Sequence, residues 1–161
     1  MNRTLRIGIL TIIAAFMLAI MPLPDWAVEF RPDWVTLVLI YWAMAMPAKI
    51  GVTIAWLAGL MLDVSYGTLM GQHAIGLVLV VYFIHINHQR LRVASLLQQA
   101  IVIFFLLLIK QLLILWVDGM LGHAPDSWLY FMPTLTSTLL WPWVYLILRD
   151  LRRKFSYVKT F

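Results

Sequence analysis

Cysteine is absent from the 161 residues, which removes disulfides, thiolate chemistry and cysteine-ligated metals while leaving the compartment open. Charge is scarce too: Asp, Glu, Lys and Arg make up 12% of the chain, where an ordinary soluble domain carries about 25%. Internal repeats, linkers and low-complexity segments are also lacking, and no polar stretch is long enough for a soluble domain. What is present is apolar. The chain is 63% hydrophobic with a mean hydropathy of +0.91, and apolar runs follow one another from Ile7 to Leu148 with only short polar breaks. A soluble globule is thereby excluded, and residues 1–161 are expected to form one polytopic, all-α integral membrane domain.

The net charge of +5 would raise nucleic acid as a partner of a soluble protein, but here the positions of the charges account for it better. Six transmembrane segments are expected, at about Leu5–Met21, Pro32–Met46, Ile50–Tyr66, Gly71–Ile86, Val93–Val117 and Trp128–Leu148. Arg3 and Arg6, Lys49, Arg90 and Arg92, and the group Arg149, Arg152, Arg153, Lys154 and Lys159 all fall on one side. The other side carries Asp25, Glu29, Asp33, Asp63, Asp118 and Asp126, with Arg31 its one basic residue. The positive-inside rule then makes both termini cytoplasmic. The first segment resembles a signal sequence, yet Pro22-Leu23-Pro24-Asp25-Trp26 follows it with no pair of small residues spaced for cleavage, so an uncleaved span is expected.

The second segment is short. Starting from Pro32, which suits a first helical position, it reaches ~22 Å at 1.5 Å per residue, against a hydrocarbon core of ~30 Å. A re-entrant hairpin tipped by Pro47-Ala48-Lys49 is the alternative, but it would bury Lys49 at a cost of ~2.5–3.5 kcal/mol. In the sixth segment Pro142 removes a hydrogen bond to the Thr138 carbonyl, which predicts a bend near the cytoplasmic end. The basic run after Leu148 is too short to fold alone; it serves as topology signal or contacts anionic lipid or an acidic partner.

Gly51, Ala55 and Gly59 recur every fourth residue, making a flat strip on one helical face where another backbone can approach closely, either within this chain or from a partner. The same register continues to Asp63, Gly67 and Gly71, and the last two glycines suit a tight turn. Asp63 then either caps that turn, pairs with Lys110, or meets a partner's helix. A proton relay would need a chain of acids that is not there. Lys110, inside the fifth segment, either snorkels outward or turns inward to an acid. His85 and His88 are three apart but lack a third ligand, so they are expected to be an interfacial, solvated pair, as are His73 and His123 at the outer ends. No converging set for catalysis, metal or cofactor emerges.

Taken in order, Phe30-Arg31-Pro32-Asp33-Trp34 opening a short aromatic-rich span, Gly59-Leu-Met-Leu-Asp63 with Gly67 and Gly71, and Leu140-Trp-Pro-Trp143 through Arg149 resemble MreD, the family of rod shape-determining membrane proteins, over nearly the full length. The resemblance implies a non-enzymatic inner-membrane subunit of the bacterial cell-elongation machinery, associated with MreC and through it with MreB, RodA and a class B penicillin-binding protein in peptidoglycan synthesis. It also implies a fold like the six-helix substrate-binding subunits of energy-coupling-factor transporters. By position, the family's Arg-Pro motif falls on Arg31 and Pro32 and its Gly-Asp-Gly pattern on Gly59, Asp63, Gly67 and Gly71; Lys110 is outside both. A scaffold that holds a partner's transmembrane helix is therefore expected, with membrane lipid around it and a second copy of the chain as a further candidate partner. The alternative is a small-molecule-binding or transport subunit, which would need a polar, roomy pocket among the helices.

Overall fold

The computed structural model describes residues 2–157; Lys159, counted above among the basic residues, lies outside them. Among the described residues all regular structure is helical. The elements are α1 (Arg3–Ile20), a single turn α2 (Asp25–Val28), α3 (Trp34–Ala45), α4 (Val52–Tyr66), α5 (Gln72–Val93), α6 (Leu96–Met120), a 3₁₀ turn (Trp128–Phe131) and α7 (Met132–Tyr157). Four of these are long and apolar enough to cross a membrane: α1, α5, α6 and the run Trp128–Ser156. The other two apolar helices, α3 and α4, are shorter.

The shortest of the six is the centre. Every residue of α3 from Val35 to Met44 is buried, because α1, α5 and α7 all pack on it. A helix that is apolar all round has no polar face to turn to solvent and can only be satisfied by neighbours on every side. Pro32 stands outside the helix rather than opening it, since Asp33 takes the N-cap position and accepts from the Thr36 amide at 3.4 Å. Aspartate is among the strongest N-caps, and here it outcompetes proline's preference for the first turn.

Two more boundaries differ from the sequence-based expectation. Helix α5 continues through His85, His88 and Arg90 to Val93, because nothing between Asn87 and Val93 breaks it. The stop comes at Ser95, whose capping box with Gln98 starts α6. The basic run after Leu148 is not a separate tail but the last turns of α7, which also carries Pro142 within one continuous helix. Lys49 is exposed and shares a cavity wall with Asn2, Thr4, Arg152 and Arg153. The turn at Pro47-Ala48-Lys49 is therefore not buried in protein but lies at the end where α1 begins and α7 ends.

Helices α4 and α5 form a tight antiparallel hairpin. A methyl group on Gly59 would sit 2.2 Å from the Ala74 Cα and 2.6 Å from its nitrogen, so the two backbones touch. Ala55 is wholly buried, and the strip lies in contact within this chain, while Trp56, Leu57, Met61 and Val64 face outward. Gly51 is different, since an added methyl would meet nothing closer than the Pro47 carbonyl at 3.8 Å. We predict that Gly59→Ala destabilises the protein by about 1–3 kcal/mol, the range of an overpacked core. Gly119→Ala, with open space around it, should be neutral or slightly stabilising. Thermal unfolding in detergent checks this; equal midpoints for the two variants would contradict the contact.

Candidate functional site

The acidic end of the bundle gathers two clusters of polar side chains. The first is built on Asp33. Its position at the start of α3 puts a carboxylate where α6 and α7 converge, and Lys110 of α6, only 3% exposed, donates to that carboxylate and, at 2.9 Å, to the Thr36 hydroxyl. The Asp33 amide donates to the Ser137 hydroxyl of α7 at 2.8 Å. One residue thus ties three helices. Gly76 of α5 makes room, since a methyl there would lie 2.8 Å from the Lys110 Cγ. Lysine at membrane depth is expensive unless paired, and the pairing runs inward rather than along a snorkelling stem.

The second cluster is built on Asp63, which is fully buried. Helix α4 ends in a Schellman motif: Gly67, in the left-handed region at φ +66°, donates to Val64 at 3.4 Å, while Thr68 donates to the Asp63 carbonyl at 3.0 Å. The chain then turns back through Gly71, also left-handed at φ +100°. As the N-cap of α5, Gly71 has no side chain to cap with, and the Asp63 carboxylate does it instead. It accepts from the amides of Gly71 at 2.8 Å and His73 at 2.9 Å, and from the Thr68 hydroxyl at 2.9 Å. The His73 ring, with its Nδ1 2.8 Å from the same carboxylate and its side chain 13% exposed, completes the shell. A negative group at a helix N-terminus also complements the helix dipole.

These placements answer several sequence-based expectations. Asp63 serves the turn, and Lys110 meets Asp33 rather than Asp63. His73 is not a solvated interfacial residue, because the second position of α5 points it at Asp63; the ten-residue spacing across two turn glycines was the signal for that. From the sequence, Asp33 reads only as an acid of the outer side within the Phe30–Trp34 motif, and Thr36, Gly76 and Ser137 have no assigned role. His85 and His88 remain at the far end with ring centroids 6.0 Å apart, and His123 is exposed. Among the described residues no three His, Asp or Glu side chains gather as a metal site would require.

Arg31 explains the Arg-Pro pair: its guanidinium donates to the carbonyls of Ala19 and Met21, closing the C-terminal end of α1. Arg31, Asp33, Tyr66, His73 and Lys110 also line a cavity of about 220 Å³. At both ends buried glutamines add staples. Gln72 donates to Asp118 at 2.7 Å, and Gln99 donates to the Leu91 carbonyl at 2.7 Å while accepting from Trp141, one residue before Pro142, at 3.2 Å.

These features define a polytopic helical membrane protein whose internal charges are spent on holding helices together. Comparison with known proteins is specific: the model of the family described as "rod shape-determining protein MreD" matches residues 1–151. The rod shape-determining protein MreD of Haemophilus influenzae is 37% identical over 148 residues, covering 89% of this chain and 91% of that protein. The chain belongs to the MreD family of rod shape-determining proteins. No solved structure matches it.

If Asp33 and Lys110 stabilise one another, each single loss leaves a stranded charge. Lys110→Met and Asp33→Asn, the latter keeping a good N-cap, are each expected to cost about 3 kcal/mol, and the double variant much less than their sum. Unfolding midpoints of the three variants check this. Strict additivity would contradict the pair, and additivity is the outcome expected for Lys110→Met combined with Asp63→Asn.

Proposed function

We propose that this protein is a non-enzymatic scaffold subunit of the cell-elongation complex in the bacterial inner membrane. All six apolar helices cross the bilayer with both termini in the cytoplasm, in an arrangement like that of energy-coupling-factor substrate-binding subunits. It holds the transmembrane helix of MreC against its flank, and through MreC helps couple MreB, RodA and a class B penicillin-binding protein to peptidoglycan synthesis. The observation that carries this reading is family membership over nearly the whole chain.

The geometry supports it in two ways. Asn2, Thr4, Lys49, Arg152 and Arg153 share one cavity at one end, while Asp33, Asp63 and Asp118 cluster at the other, as the positive-inside rule asks of a protein with both ends in the cytoplasm. The internal polar groups are largely paired with one another, which leaves lateral apolar faces and short loops for recognition. With Gly59 turned against α5 and Ala55 buried, a partner helix would meet the opposite face of α4, where Leu57 is 55% and Met61 58% exposed.

The cavity beside Asp33 and Lys110 favours a second reading, a small-molecule-binding or transport subunit. Its volume of about 220 Å³ lies below the roughly 300–1,000 Å³ of usual ligand pockets, so it would take only a small polar solute.

Photo-crosslinkers at Leu57 of α4, Phe105 of α6 and Leu139 of α7, all exposed, test the scaffold in cells. We expect a discrete adduct with a single-span protein from one helix face, at Leu57 before the others. No adduct at any position, together with a metabolite released from the purified protein on denaturation, would favour the second reading.

A further inference from the structure

We infer that the basic end of the bundle is a binding site for a phosphate-bearing anion, supplied by the headgroup of an anionic phospholipid. Two cavities meet there, of about 670 Å³ and about 210 Å³, with Ala45 and Arg152 in the walls of both. Lys49, Arg152 and Arg153 line the larger, together with Asn2 and Thr4 at the start of α1, and among the described residues no carboxylate lines either. The Asn2 side chain caps no amide, so the positive end of the α1 dipole opens on the same space without a side-chain acceptor.

Tyr41 decides what belongs in the smaller cavity. It is 2% exposed and lines the space, yet its buried hydroxyl has no hydrogen-bond partner among the described residues. A buried hydroxyl left unpaired is costly, and a native protein keeps one where something else completes it. The Arg152 guanidinium stands 6.0 Å from the Tyr41 ring centroid and makes no ion pair or hydrogen bond among the described residues. Arg92, on the same wall, is spent differently: it donates to the carbonyls of Met44 and Ala45 and closes the end of α3. The charged groups on these walls are therefore all donors, guanidinium and ammonium, with the phenol and the helix amides beside them. Such a set fits an acceptor-only ligand with several oxygens, and guanidinium geometry suits phosphate.

The source follows from the surroundings. At the basic end of a membrane bundle the available phosphates belong to the anionic leaflet. Exposed Ile9 and Leu10 on α1 offer acyl chains a surface within a few turns of the cavity mouth.

The test uses the full chain in mild detergent, supplied with phosphatidylglycerol, phosphatidylcholine or inorganic phosphate, with retained lipid read by native mass spectrometry and stability by thermal midpoint. Phosphatidylglycerol should be retained and raise the midpoint, and phosphatidylcholine should do neither. Tyr41→Phe keeps the ring and its packing but should weaken retention about tenfold, the effect of one hydrogen bond to a charged group, as should Arg152→Gln. Arg149→Gln removes the same charge from the same helix outside both cavities and should change nothing. Retention unaffected by Tyr41→Phe, or reduced equally by Arg149→Gln and Arg152→Gln, would overturn the site. A midpoint rise with inorganic phosphate equal to that with phosphatidylglycerol would overturn the lipid as its source.

Discussion

The ion pair between Lys110 and Asp33 is the constraint on which the remaining arrangement depends. It is possible because α3 is short: twelve residues rise only ~18 Å, so the N-cap carboxylate ends well inside the depth that a spanning helix would occupy. Lys110, placed ten residues before the end of α6, finds its counter-charge at that depth. A longer α3 would lift Asp33 toward the headgroups and strand the lysine. The same brevity lets α1, α5 and α7 close around α3 on every side, leaving none of it between Val35 and Met44 for lipid.

The α4–α5 hairpin solves a related problem at the acidic end. Two helix ends meet there, one with orphan carbonyls and one with orphan amides. Gly67 and Thr68 serve the carbonyls, and Asp63 serves the amides from the last turn of the preceding helix. The carboxylate is affordable in the interior because donors surround it. Gly59 allows the close approach to Ala74 that brings the two ends into range.

Much of this was legible beforehand. The helical class, the six apolar segments and their order follow from composition and hydropathy, and the Gly59-Asp63-Gly67-Gly71 register pointed to a close contact ending in a turn. The partners of the buried charges were not legible. Lys110 and Asp33 lie 77 positions apart, and only the depth to which α3 is drawn in decides between Asp33 and Asp63. His73 was misjudged because its place in sequence, near a helix end, says water, whereas its place on the first turn of α5 says carboxylate. The length of α5 was underestimated for a different reason: Arg90 and Arg92 mark where a span meets water, not where a helix stops, and the stop is written in Ser95 and Gln98.

The unequal helices also shape the lipid around the protein. Helix α4 turns Leu57, Met61 and Val64 outward, so unlike α3 it presents a short apolar wall, ~22 Å for its fifteen residues. The wall formed by the 25 residues of α6 is ~38 Å. With α4 crossing the bilayer as proposed above, a membrane meeting both would pinch along one edge and relax along the other, at a cost that grows with each ångström of mismatch. On that proposed topology the annulus would be asymmetric, and the thinned edge beside α4 is where a neighbour with an equally short span would relieve the most distortion by settling in.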